Sequence, residues 1–410
     1  MPSQGEPYGQ APGAVPSPTT LAAMALTGTV LDTPERCEPY RTAWDALAVA
    51  EGRPFCAPAW MLAWWRHVPG PRAQLRVVVV HHGDDLVAVA PFYAQSNPGM
   101  PTHYRILGAG TSHRAEPLAR AEFRDEAARV IARELSGTEP RPAVIGLESV
   151  DVRSGWPARL VESWPGNRRP WSSQEWSGPA PTVSLEGLTF DEWIKTKSRN
   201  FRSQSGRLRR RLEARGAHFH FAADEEELEW GLGELSRLHH ARWQGRGGST
   251  ALDPSVERTL VDAGRELLPS GRFRLLWIEV EGRAISAHAF LAAGREVSYW
   301  NGGFDEEWAS EQPSMRALIE AIDDAFARSD LRFAFGGGAE PYKYRLADGE
   351  DTLETILIAP RDARYPLTWL QLAPRRLRGA ISRLLPEPAH ERLRRLRKFR
   401  RLGDGLRART

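Results

Sequence analysis

Apolar residues recur at helical spacing over 40–49 and again over 59–67, where Trp60, Trp64 and Trp65 mark one side and Pro58 stands near the first turn. The pattern then changes. Apolar runs over 74–80 and 86–93, separated by a Gly83-Asp84 turn, predict a hairpin; 104–107 and 143–147 predict further strands, with a helix over 124–135. Residues 151–181 lose all periodicity and fill with Trp, Pro, Gly and Ser, which reads as a connection between two units. Beyond it the pattern predicts strands over 182–185, 217–221, 272–280, 284–293 and 295–301, and helices over 190–195, 225–243 and 256–268. A last helix is marked by Met315, Leu318, Ile319, Ile322 and Phe326, before a strand starting at Leu331 and a closing strand over 352–358. Strands, then a helix, then strands again predict an α+β fold with a mixed sheet.

Length agrees with two units, since 410 residues with 41% hydrophobic content exceed one ordinary core. The expected division is a leader over 1–37, a first domain over 38–150, a connection over 151–181, a second domain over 182–360 and a basic tail over 361–410. The stretch 1–31 is rich in Pro, Gly, Ser and Ala and holds no Lys or Arg, the composition of a disordered leader. Its apolar patch over 21–31 has no positive region before it, so it is not read as a signal peptide. No run approaches the roughly 18 uncharged apolar residues of a membrane helix. Cys37 and Cys56 form no C-x-x-C pair, and a reduced, cytosolic chain is expected.

The net charge of +3 conceals an asymmetry. Residues 375–409 hold 13 basic residues against Glu387, Glu391 and Asp404, which is +10, so the rest sums to 3 − 10 = −7. A basic amphipathic tail of this kind can rest on anionic lipid, placing the protein peripherally on the inner membrane face, or it can be a solvated segment. A second basic run, KTKSRNFRSQSGRLRRRLEARG over 195–216, sets Phe201, Leu208 and Leu212 on one helical stripe. It can dock while holding Arg199, Arg202 and Arg209 toward an anionic partner: a phosphate-bearing donor, an anionic acceptor or RNA.

Chemistry concentrates in LRFAFGGGAEPYKYR over 331–345. A short strand runs into Gly336, Gly337 and Gly338, which permit positive φ and close backbone approach, and then come Glu340, Tyr342, Lys343 and Arg345. Only four of the 55 basic residues are lysines, so Lys343 in this stretch hints at a need for a compact ammonium. His288, in the strand AISAHAFLAA, is either a second base or a core histidine. Sequences for a serine elbow, a zinc helix or a phosphate loop of the Walker type are absent.

The order of the basic run, ARWQGRGG over 241–248, a hairpin, YWNGGFDEEW over 299–308, a helix and FGGGAEPYKYR resembles the BioF2-like, CelD-related branch of the Gcn5-related N-acetyltransferase (GNAT) superfamily, which is similar to the FemAB peptidyltransferases. The resemblance covers about 54–358. It implies tandem GNAT-like folds, the second better preserved, and metal-free transfer of an acyl group, from acyl-CoA or aminoacyl-tRNA, to an amine of a small molecule or cell-envelope precursor. It further implies Glu340 as base, Tyr342 as acid with His288 as runner-up base, and Lys343, Arg345, Trp300 and Asn301 around the acceptor. The donor pyrophosphate would lie at Gln312, Ser314 and Arg316, although Met315 stands where the family's inner glycine belongs, and Ala334 where relatives carry an acid. The competing class is a non-catalytic binder of RNA or anionic membrane on the same scaffold.

Overall fold

A computed structural model describes residues 25–244, 248–249 and 251–373. Among these, thirteen strands join one mixed sheet that runs from Thr27–Leu31 at one edge to His218–Phe221 at the other. From the first edge inward, Thr27–Leu31, Ala73–His82, Asp85–Gln95 and His103–Ile106 pair antiparallel, and His103–Ile106 then pairs parallel with Val144–Asp151. From the second edge the same series recurs: His218–Phe221, Phe273–Val280, Arg283–Ala293 and Glu296–Phe304 are antiparallel, and Glu296–Phe304 then runs parallel to Arg332–Ala334. The chain is therefore an internal repeat, as the tandem-fold expectation required.

The halves are closed by each other's strands. Trp171–Ser184 follows the first half in sequence but pairs with Arg332–Ala334 of the second, while Gly349–Ala359 follows the second half and pairs with Val144–Asp151 of the first. These two strands also pair with one another from Gly349↔Thr182 to Ala359↔Trp171. A cut between 150 and 182 thus follows the sequence and not the packing. The stretch 151–181 is no mere connection either: it holds the helix Trp156–Ser163 and most of a 14-residue strand. Pro179 and Pro181 are tolerated there because proline keeps its carbonyl, and these carbonyls accept from Gly338 and Phe335.

The expected leader also ends earlier than 37. Thr27–Leu31 forms an edge strand on Val77–His81, and Thr33 caps the short helix Pro34–Cys37 through its side chain. Residues 1–24 lie outside the described residues, as does the basic tail from 374 onward. Two apolar clusters hold the sheet, one spanning the first half and the long helix Glu225–Trp243, the other packing Pro313–Ala327 on the second half. Cys37 and Cys56 are buried in the first cluster, and burial pushes both thiols up to about 12.

Candidate active site

Parallel pairing in the second half lasts three residues, Glu296↔Arg332, Val297↔Phe333 and Ser298↔Ala334, and then the strands part. Local sequence explains both departures. On one side Gly336 and Gly338 take φ of +71° and +116°, and the amides of Phe335 and Gly338 bond to Pro181 and Pro179 at 3.0 and 2.8 Å, drawing the chain toward Trp171–Ser184. On the other, the register slips between Ala289↔Asn301 and Phe290↔Tyr299, leaving Trp300 as a bulge residue. A gap opens beyond Ser298 and Ala334.

Glu340 stands at its lip, half exposed, and Lys343 lies beneath it at 4% exposure. The Lys343 ammonium donates to the Gly337 carbonyl at 2.8 Å and to Glu340 at 2.9 Å. Partial burial is the largest single influence on Glu340 and works against its ionisation, but the bond from Lys343, a backbone bond and the Lys343 charge together outweigh it and hold the carboxyl below its ordinary value. Both of these ammonium contacts lie within the bend, whereas the resemblance implies an anchor for the acceptor at Lys343. Tyr342 is half-buried beside Glu340; burial, then the carboxylate, push its phenol up to about 12, so it stays protonated.

His288, the alternative base, is 1% exposed and fully engaged. Ser286 Oγ donates to the Gly303 carbonyl at 3.2 Å, so His288 Nε2 donates to Ser286 Oγ at 2.9 Å and its Nδ1 accepts from the Tyr299 hydroxyl at 3.3 Å. A Cβ on Gly302 would fall 2.0 Å from that Nδ1, which is why glycine follows Asn301. His288 thus orients Tyr299 from the core, with both ring nitrogens engaged within the protein.

Two groups at this site were not singled out by sequence. His113, from a loop of the first half, lays its Cδ2 and Nε2 where a Cβ of Gly336 would be 2.9 and 3.0 Å away, and its buried Nδ1 has no protein partner. Burial and the nearby Lys343 cation lower it to about 4. Arg242, in the last turn of Glu225–Trp243, acts electrostatically on His288, Tyr299 and Tyr342 and has no acidic partner among the described residues. A loop histidine carries no local signal, whereas the ARWQGRGG context could have drawn attention to Arg242.

The remaining expected residues divide. Trp300 donates its indole N–H to Thr111 at 2.8 Å and packs on Trp60, a contact that joins the halves. Asn301 accepts from the Gly302 amide at 2.8 Å. Arg345 bridges Gln204 at 2.9 Å and Gln312 at 3.4 Å and covers Phe201, linking the glycine bend to the arginine helix Arg199–Ala214 and to the start of Pro313–Ala327. That start has no side-chain cap, with Gln312 at φ +51° and Ser314 in the first turn. Arg316 turns away, 6% exposed and paired with Glu320 at 2.7 Å, so its guanidinium is not placed for a donor phosphate.

On the arginine helix, Phe201, Leu208 and Leu212 are buried as the spacing required. Arg209 pairs with Glu213 at 2.8 Å, and Arg211 and Arg215 share the buried Glu311 at 3.3 and 3.2 Å. Arg199 and Arg202, together with Arg207 and Arg210, remain exposed without acidic partners among the described residues, over about 17 Å of helix.

The buried rings give a pH prediction. His113 and His288, at about 4 and about 3, stay neutral where free imidazoles are protonated, so unfolding takes up protons below about pH 6.5. Stability from these rings is complete above pH 6.5 and falls in acid, by up to about 4 kcal/mol at pH 5 for the two together. Urea unfolding at pH 7 and pH 5 measures this, and the paired variant His113→Gln, His288→Gln loses most of the difference. Equal stability of the parent at both pH values contradicts it.

Residues 199–344 match the model of the acetyltransferase (GNAT) domain. Among solved structures, FemX aligns at 14% identity over 80% of this chain and 98% of its own, with a TM-score of 0.59. A conserved protein of unknown function from Bacteroides thetaiotaomicron aligns at 11% identity over 81% of this chain and 99% of its own, with a TM-score of 0.51. The C-terminal DUF2156 domain of an Agrobacterium fabrum protein named as a lysylphosphatidylglycerol synthetase aligns at 9% identity, over 82% and 96%, also with a TM-score of 0.51. At these identities the likeness is one of fold. No curated protein matches the chain.

Proposed function

We propose that this protein, whose residues 199–344 match the model of the acetyltransferase (GNAT) domain, is an N-acyltransferase moving an acyl group from acyl-CoA to an amine of a small-molecule or cell-envelope precursor. The reaction is placed in the gap beyond Ser298 and Ala334. What carries the reading is the pair at its lip, a carboxylate held ionised at Glu340 and a phenol held protonated at Tyr342. Transfer needs both. The amine nitrogen bonds to the acyl carbon and the C–S bond breaks; Glu340 takes the proton that the amine gives up, and Tyr342 supplies one to the departing thiolate. Donor phosphates have a cradle in the uncapped start of Pro313–Ala327, where Pro313 has no N–H, the Arg316 amide is taken by Gln312, and Ser314 and Met315 present theirs beside Arg345.

A second reading has one observation in its favour. The unpaired face of Arg199, Arg202, Arg207 and Arg210 suits a longer polyanion, and a donor carrying its acyl group on the 3′ end of a tRNA would use it. Thermal unfolding with acetyl-CoA, longer acyl-CoAs and charged tRNA separates the two. At about 100 times Kd a true donor stabilises by about 2.7 kcal/mol, a rise of a few degrees for a chain of this size. A rise with tRNA alone moves the assignment to the second reading, and no rise with any of them overturns both.

A further inference from the structure

The chain leaves the sheet at Ala359 and turns, over 365–373, into a helix unrelated to the transfer site. Thr368 and Leu372 are buried on one side of it, while Leu367, Trp369 and Leu370 are 59%, 47% and 64% exposed. These are the three most exposed large apolar side chains among the described residues. Met100 extends the patch: Gln371 bonds to Gly99 at 3.2 Å, and Met100 is 40% exposed.

Beside the helix lies a surface cavity of about 340 Å3 lined by Arg141, Arg168, Arg361 and Arg364, with Asp362 as its single acid. Arg364 is paired with Asp362 at 2.6 Å and Arg141 with Glu139 at 3.1 Å. Arg168 and Arg361 have no acidic partner among the described residues. The sequence that follows, 375–409, holds 13 basic and three acidic residues.

We infer that this face docks on an anionic phospholipid surface, with Leu367, Trp369 and Leu370 entering the boundary between headgroups and acyl chains and a lipid phosphate received by Arg168 and Arg361. Apolar side chains this exposed are a liability in water, and unpaired arginines alone are an ordinary solvated rim. Side by side they match a medium that offers anions at one depth and hydrocarbon a few ångströms below. RNA would satisfy the arginines and leave the leucines wet. Among the described residues no helix is long and apolar enough to cross a membrane, so the contact lies on the surface. The Gly338 amide bonds to Pro179, the register partner of Thr352, so the strand from Thr352 to Ala359 separates this face from the glycine bend by about 23 Å, which leaves the transfer site open when the protein is docked.

Co-sedimentation of the full chain with phosphatidylcholine vesicles, and with vesicles of phosphatidylcholine and phosphatidylglycerol, tests the inference. Binding is expected only to the second. Leu367→Ser, Trp369→Ser and Leu370→Ser combined change no charge and weaken it by about tenfold or more, as does Arg168→Gln with Arg361→Gln. All five positions are exposed, so circular dichroism and melting temperature stay those of the parent. Soluble glycerol phosphate does not displace the protein. The inference is overturned if both variant sets bind as the parent does and only removal of 375–410 releases the chain, if pure phosphatidylcholine binds equally, or if glycerol phosphate competes.

Discussion

Turnover by the Lys343→Met variant falls by about two orders of magnitude while its fold survives with a loss of only about 1–2 kcal/mol. The two effects separate because of where the ammonium sits. It is 4% exposed, it fastens the Gly337 carbonyl at 2.8 Å, and it meets Glu340 at 2.9 Å. Methionine fills nearly the same slot without a charge, so the variant loses two charge-assisted bonds but regains the desolvation cost of the cation, and half-exposed Glu340 can turn to water. What cannot be regained is geometry: the bend at Gly336–Gly338 is no longer tied down, and Glu340 loses the partner that holds its carboxyl low. A pH profile gives a sign that mere loosening would not. The acid limb of kcat/KM, set by Glu340 ionisation, moves upward toward the ordinary carboxylate value in Lys343→Met. Lys343→Arg does not restore activity, because a planar guanidinium does not fit a slot built for a compact ammonium. Full activity with an unmoved acid limb in Lys343→Met removes this lysine from the site.

The rarity of lysine noticed in the sequence finds its physical counterpart here. Lys343 caps the Gly337 carbonyl, and Lys197, over the Trp193 ring, caps the Leu346 carbonyl at 2.5 Å. Both place a compact cation against a backbone carbonyl. Sequence could flag the type but not the partner, since a carbonyl has no letter of its own. Legibility elsewhere followed the same division. Glu225–Trp243 is legible to the residue because its apolar positions repeat at helical spacing, and the structure adds Asp224 as its cap, information carried entirely within the segment. Residues 171–181 read as a connection because Gly178, Pro179 and Pro181 are locally poor strand residues; they are extended because Gly349–Ala359 and Arg332–Ala334, far along the chain, pair with the two edges of Trp171–Ser184. The glycine bend was legible as a bend. His113 was not, because what matters about it is its contact with Gly336, and that exists only once the two halves have met.

Removing one charge from the seam between those halves is expected to cost more stability than any other single change considered. Four arginines and four carboxylates meet there: Arg53 with Glu116 at 2.6 Å, Arg114 with Asp151 at 3.1 Å and with Glu296, Arg153 with Asp151 at 2.9 Å and Asp351 at 2.6 Å, and Arg332 with Glu296 at 3.6 Å and with Asp351. The count balances, and Arg114 lies at its middle at 7% exposure between Asp151 at 1% and Glu296 at 6%. Burial works to raise the Asp151 carboxyl, and the Arg153 and Arg114 guanidiniums overcome it, holding it at about 2. Against well-packed apolar residues such a network gains little, because desolvation consumes most of the Coulomb energy. Against its own remnant the comparison reverses. Arg114→Met leaves Asp151 and Glu296 short of a cation in a place that water does not reach, at a cost of about 3–5 kcal/mol. Guanidinium unfolding should show this as a lower midpoint with an unchanged slope. Adding Glu296→Gln to Arg114→Met restores the balance at three arginines and three carboxylates and should recover part of the loss, which a simple packing defect at position 114 would not allow. Glu296 is also the register partner of Arg332, at the root of the gap, so Arg114→Met speeds hydrogen exchange at the Phe335 and Gly338 amides that bond to Pro181 and Pro179. Stability within about 1 kcal/mol of the parent would mean that the apolar clusters alone hold the halves together and the network only fills space between them.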